Sequence, residues 1–210
     1  IDPTASKSLI RQLLWRDFYA QVLFHNPSNL GDSMKEAYRD MNWVKGVDAR
    51  NRLKAWKSGK TGFPIVDAGM RELASTGYMH NRARLITGSF LPKTLLVDWM
   101  EGEKHFARYL SDYDPASNNG NWQWIASTGV DPKPYFQRLF NPWLQSEKFD
   151  KDAKYIKKWL PQLKNIPAKE LNNWEKYYKN YDLKKINYYK PIVDYKEARQ
   201  KSVKMYREVL

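Results

Sequence analysis

Apolar residues recur at spacings of three and four along most of this chain, and proline or glycine closes each run. That pattern fits amphipathic helices and leaves little room for a sheet. In SLIRQLLWRDFYAQVLFHNP, Leu9, Leu13, Leu14, Phe18, Val22 and Leu23 follow helical spacing, Ser6 or Ser8 suits the N-cap, and Pro27 marks the stop. A second face of this helix carries Gln12, Trp15, Arg16 and Tyr19, at i, i+3, i+4 and i+7, and is aromatic and hydrogen-bonding at once. GKTGFPIVDAGMRELASTG reads as a Gly-rich turn and a helix opened by Pro64 and stopped at Gly77. MHNRARLITGSFL predicts a helix ended by Pro92, and PKTLLVDWMEGEKHFARYLSD predicts one or two more. SDYDPASNNGNWQWIASTG reads as a loop leading into a short helix, and GVDPKPYFQRLFNP as turn-rich and irregular. DKDAKYIKKWLPQL, AKELNNWEKYYKN and DYKEARQKSVKMYREVL supply further helices, punctuated by Pro161, Pro167 and Pro191. No segment alternates as a half-buried strand does, so the expectation is one all-α domain over residues 1–210.

A chain of 210 residues is long enough for a real core, since roughly 70 % of the unfolded surface is buried at this size. With 42 % hydrophobic and 15 % aromatic residues it is too apolar for a disordered protein. No apolar run is long enough to span a bilayer, and IDPTASKSLIRQ lacks the pattern of a secretory signal. Together with the absence of cysteine, this leads us to expect a soluble, intracellular protein in a reducing compartment. The first residue is not methionine, and the sequence is expected to be a piece of a longer one.

The net charge is +13, unevenly placed: residues 151–210 hold 16 Lys+Arg against 7 Asp+Glu, while residues 1–150 hold 20 against 16. Such a surface attracts phosphate backbones, although 14 of the 16 tail cations are lysine and a lysine-rich composition explains them equally well. His25, His80 and His105 are the only histidines and share no metal-ligand spacing, so no metal is expected. GKTGFP lacks both the strand and the spacing of a phosphate loop, and no serine sits in a nucleophile elbow. If the chain is an enzyme, a cofactor carries the chemistry. On its residues alone, DPASNNGN is a turn rich in turn formers, the tryptophans are core, and His80 packs between helices.

The motifs WRDFY, TGFPIVDAGMREL, GYMHNRARLITGSFL, DWMEGEKHF, DYDPASNNGNWQWIASTG and FNP…KFD…YIKKWLPQL occur in order across nearly the whole chain. In these the sequence resembles the helical FAD-binding domain of the DNA photolyase/cryptochrome family, and most closely a class I cyclobutane-dimer photolyase. The resemblance implies a multi-helix, all-α FAD-binding fold, with repair of pyrimidine dimers by light and reduced FAD. It places Asp112 and Asp114 against the flavin and its ribitol or ribose region, Arg84 as the cation paired with Asp112, and Asn118 facing flavin N5. Asn81 and Tyr113 belong to the same cofactor-binding set. Trp122, Trp99 and Trp43 match a three-tryptophan chain that carries electrons between the surface and the flavin. Trp15 and Trp124 match the pair that brackets an extruded dimer, and Gln12, Arg16, Asn81, Arg82 and Gln145 match positions that contact the lesion or nearby DNA.

The sequence departs from the family pattern in three places. Gln12 stands where cyclobutane-specific enzymes carry a glutamate, and an amide supplies no acidic proton. The histidine pair of the 6-4 photolyase branch would fall at Asn81 and Leu85, and Tyr78 replaces a usual tryptophan. The segment that wraps the FAD pyrophosphate and the N-terminal domain that holds an antenna chromophore have no match here, so an upstream fragment is expected to complete the FAD site. Expected partners are UV-damaged DNA and that fragment. The alternatives are a cryptochrome-like photoreceptor, a 6-4 photolyase, or an inactive DNA-binding remnant.

Overall fold

The computed structural model describes residues 3–131 and 139–209. Most of the predicted irregular stretch, residues 132–138, lies outside the described residues. Eleven α-helices occur among the described residues, with no strand: α1 Pro3–His25, α2 Gly46–Lys57, α3 Pro64–Thr76, α4 Asn81–Lys93, α5 Trp99–Tyr109, α6 Pro115–Ala126, α7 Pro142–Phe149, α8 Lys154–Trp159, α9 Ala168–Leu171, α10 Trp174–Tyr177 and α11 Tyr195–Arg207. The all-α expectation holds over these residues. None of the described helices is long and apolar enough to cross a membrane.

Helix α4 lies at the centre, packed against α3 on one side and α5 and α6 on the other. Its buried stripe of Ala83, Ile86, Phe90 and Leu91 meets Phe63, Trp99, Phe106 and Trp122 in the main core. The α5–α6 crossing is close because Gly102 has no side chain: a Cβ there would overlap the Trp122 ring. Gly120 does the same for α1, since a Cβ would enter the Tyr19 ring. Helix α8 covers α3, and the 61–63 turn is held by Asp67, which is fully buried. Its carboxylate accepts from the Thr61 amide (2.8 Å) and hydroxyl (2.6 Å), the Gly62 amide (3.0 Å) and the Tyr188 hydroxyl (2.6 Å). Burial raises its pKa, and these hydrogen bonds oppose the shift.

Several helix boundaries differ from expectation. Helix α1 starts at Pro3, so Ser6 and Ser8 lie inside it and not at its N-terminal boundary. Pro92 sits within α4, which continues to Lys93. Helix α3 follows the sequence reading, with Pro64 in its first turn and Gly77 left-handed (φ 67°) at the C-cap. PKTLLVDWMEGEKHFARYLSD yields a single helix, capped by Asp98. His80 is no packing residue: it is exposed, and its Nδ1 caps α4 by accepting from the Arg82 amide at 3.2 Å.

The aromatic, hydrogen-bonding face of α1 meets α6, with Tyr19 only 7 % exposed, while Leu9, Leu13 and Leu14 are more than half exposed.

Candidate functional site

Helix α6 opens at Asp114, whose Oδ1 accepts from the Ser117 amide at 2.7 Å. This cap explains how a polar turn-forming stretch becomes a helix. Hydrogen bonding from Ser117 holds the Asp114 carboxyl below its ordinary range against partial burial, with Arg16 adding a smaller attraction. From that cap, Asp114, Ser117, Asn118, Asn121, Trp122 and Ile125 recur at helical spacing and line one groove. The other amides serve the fold: buried Asn119 donates to the Asn29 carbonyl at 2.8 Å, and Gln123 accepts from the Met34 amide at 2.9 Å.

The groove encloses about 130 Å³ between α4, α5 and α6, and Asn81, Arg84, Asp112 and Tyr113 complete its polar wall. Arg84 pairs with Asp112 through two contacts of 2.8 and 3.1 Å, and its Nε donates to the Met79 carbonyl at 2.6 Å. That third bond fixes the guanidinium, so the pair forms a positioned clamp. Asn118 is buried; its amide nitrogen donates to the Glu103 carboxylate at 2.8 Å and to the Glu103 carbonyl at 3.2 Å. Two acceptors on one side orient the amide and leave its carbonyl oxygen for the groove. Burial raises the Glu103 pKa, and the Asn118 hydrogen bond opposes it. Tyr113 is also raised, by partial burial and then by Glu103 and Asp114.

A second groove, of about 370 Å³, adjoins the first and shares Asn81, Leu85, Ser117 and Asn121 with it. Gln12, Trp15, Arg16 and Tyr19 of α1 form one wall and Trp124 of α6 lies on the other. The Trp15 ring stacks on Tyr19 with centroids 6.1 Å apart and is half exposed, so one indole face is presented to the groove region. Two residues predicted for this surface lie elsewhere. Arg82 is drawn over the Phe149 ring at 4.2 Å and lines a separate hollow with Tyr155. Gln145 lines neither groove, and its Oε1 is buried without a partner among the described residues.

Trp122 lines the first groove, Trp99 is fully buried, and Trp43 is half-buried beside a smaller core around Tyr206. These three indoles make no ring contact with one another; Trp122 packs on Phe106 (4.9 Å) and Trp56 (6.1 Å), and Trp99 Nε1 donates to Ser33 Oγ at 3.4 Å. The sequence reading missed Ser117, Asn121, Leu85 and Glu103. The first two follow from helical spacing once α6 is started at Asp114, whereas Leu85 and Glu103 arrive from other helices. Among the described residues no cluster of three or more His, Asp or Glu is placed to hold a metal.

The residues present suit a flavin nucleotide: a guanidinium–carboxylate clamp, a capped helix N-terminus, and an oriented amide carbonyl beside apolar Phe106 and Ile125. The enclosed volume is below the roughly 300–1,000 Å³ of a closed ligand pocket, so the groove is one wall of a site. Comparison with known proteins agrees. The chain is 44 % identical over 211 residues to the deoxyribodipyrimidine photo-lyase of Alkalihalophilus pseudofirmus, covering 98 % of this chain and 43 % of the relative. It is 45 % identical over 206 residues to that of Escherichia coli, with the same coverage. Among solved structures, a class III photolyase from Agrobacterium tumefaciens superposes with TM-score 0.90 at 41 % identity, over 100 % of this chain and 44 % of that one. A Synechocystis cryptochrome superposes with TM-score 0.85 at 35 % identity, over 95 % and 41 %. The chain thus spans less than half the length of these relatives. The model of the FAD binding domain of DNA photolyase matches residues 9–208, and the chain belongs to this family.

Proposed function

We propose that this chain supplies the C-terminal part of a photolyase catalytic domain, which binds FAD and repairs cyclobutane pyrimidine dimers in UV-damaged DNA. The observation that carries the reading is the shared wall: Asn81, Leu85, Ser117 and Asn121 border both the groove suited to a flavin and the aromatic-sided groove suited to an extruded dimer. Reduced FAD, when bound, supplies the electron that splits the dimer. The chain's own residues hold and orient. Arg84 and Asp112 clamp a hydroxyl-bearing chain, Asp114 with the α6 N-terminus fixes its register, and Asn118 presents a carbonyl that does not titrate near neutral pH. Trp15 and Trp124 offer flat surfaces that replace the stacking a lesion loses on leaving the duplex. Trp122, Trp99 and Trp43 form an oxidisable path from the groove toward the surface.

Gln12, in the lesion groove, donates a neutral hydrogen bond where an acid would donate a proton, which favours dimers that split without strong proton assistance. The exposed apolar side of α1 and the greater length of the relatives support an additional segment that packs on α1 and closes the flavin site. The testing experiment is flavin retention after desalting, followed by dimer splitting under blue light, with the chain alone and with such a segment. Lesion-independent flavin photochemistry would favour the photoreceptor reading, and failure to retain flavin in both cases would refute the catalytic one.

A further inference from the structure

On the side of α5 away from the flavin groove, α2 and α5 flank a further, open hollow of about 500 Å³. Arg50, Lys54 and Lys57 reach it from one face of α2, at i, i+4 and i+7, and Arg108 reaches it from α5. None of the four side chains has an ion pair or hydrogen bond among the described residues, and no acid lines the hollow. Elsewhere on α2 the one acid, Asp48, is already paired with Arg52 at 2.7 Å.

The floor supplies an independent observation. His105 is only 8 % exposed, lines the hollow, and its side chain makes no hydrogen bond among the described residues. The imidazole nitrogens are thus available to a ligand in the same space as the four cations. Its pKa is pushed down to about 4 by burial and then by Lys57 and Arg108, so at neutral pH the ring is uncharged and able to accept or donate one hydrogen bond. Tyr109, nearly half exposed, sits against it with ring centroids 4.6 Å apart and extends the floor as an aromatic shelf.

We propose that this hollow is a nucleoside-phosphate site, in which Arg50, Lys54, Lys57 and Arg108 hold the phosphates, His105 hydrogen-bonds the ligand, and Tyr109 stacks on its base. A bare phosphate would use the cations alone. The aromatic shelf favours the larger ligand, because a base can stack on it.

The test titrates the purified chain with ADP, pyrophosphate and adenosine, following heat and the His105 imidazole resonances. ADP and pyrophosphate are expected to bind saturably and shift His105, with ADP tighter and adenosine silent. Lys54→Glu with Arg108→Glu is expected to weaken both ligands by about tenfold or more, since charge-assisted contacts are lost. Tyr109→Ala is expected to weaken ADP by about fivefold or more and leave pyrophosphate unchanged, as loss of stacking predicts. These side chains are exposed, so an unchanged circular dichroism spectrum verifies the fold. Arg84→Ala, in the flavin groove, is expected to leave ADP binding intact; ADP binding that follows Arg84 and ignores Lys54 and Arg108 overturns the proposal. So does an unshifted His105. Equal affinity for ADP and pyrophosphate overturns the nucleoside assignment, and binding of an undamaged oligonucleotide without ADP binding overturns it in favour of a nucleic-acid backbone.

Discussion

The Asn118 amide and the Glu103 carboxylate lie 2.8 Å apart, joining α6 to α5 at the back of the flavin groove. Asn118→Asp would put two carboxyl groups at hydrogen-bonding distance in a partly buried place. One must then hold a proton, and the folded-state pKa of the pair rises above its unfolded value. The variant is expected to be less stable than the parent by about 1–3 kcal/mol at pH 7. The deficit should shrink as pH falls through the raised pKa. Urea unfolding at pH 7 and pH 5 checks this; a deficit independent of pH would show that the amide acts by shape alone.

Arg84 and Asp112 are partly exposed, with side chains 25 % and 51 % accessible. An ion pair so placed contributes about 0–1 kcal/mol to stability. Asp112→Asn should therefore change the unfolding midpoint little, while flavin retention, which uses the clamp directly, should fall by about tenfold or more. Parallel measurement of both quantities separates the two roles.

For Asp114 the folded-state pKa lies below the unfolded one, so its contribution is present above the unfolded value and is lost as pH falls through the folded value. Asp114→Ala is expected to cost about 0.5–2 kcal/mol at pH 7, the usual worth of an N-cap. The difference from the parent should close in acid, which a denaturant series from pH 7 downward would reveal.

Asp67 and Tyr188 line neither groove and are fully or nearly buried. Tyr188→Phe leaves the carboxylate one donor short and is expected to cost about 1–3 kcal/mol. Asp67→Ala orphans the donors of Thr61, Gly62 and Tyr188 together and should cost more, with flavin and DNA affinity per folded molecule unchanged.

Replacing Trp15 or Trp124 by alanine should remove about 1–3 kcal/mol of binding to dimer-containing DNA, while binding to undamaged duplex barely moves. Gel-shift titration with matched damaged and undamaged oligonucleotides measures the ratio. An equal loss on both would remove these indoles from lesion recognition.

Much of this architecture is legible in the sequence. Pro64 and Gly77 bound α3 because one fits the first helical turn and the other adopts a left-handed conformation. The wall of the flavin groove is legible as well, through DYDPASNN in register with MHNR. What the sequence hides is direction. The spacing of Leu9, Leu13 and Leu14 identifies a helix but not which face meets α6, and Gly120 resolves it by admitting Tyr19. Motif register puts Arg82 with the lesion groove, yet the exposed Phe149 ring of α7 captures its guanidinium. Helix α2, with its basic face, carries little apolar signal and becomes meaningful only when α5 is set beside it.

The uncovered apolar side of α1 also governs how the chain behaves at concentration. Leu9, Ile10, Leu13 and Leu14, with Phe24 further along, expose apolar surface on an otherwise strongly cationic molecule. Long-range repulsion keeps such molecules apart in dilute buffer, and salt removes it while strengthening this surface's attraction for its own kind. Turbidity that increases with added sulfate is therefore a property of this one helix.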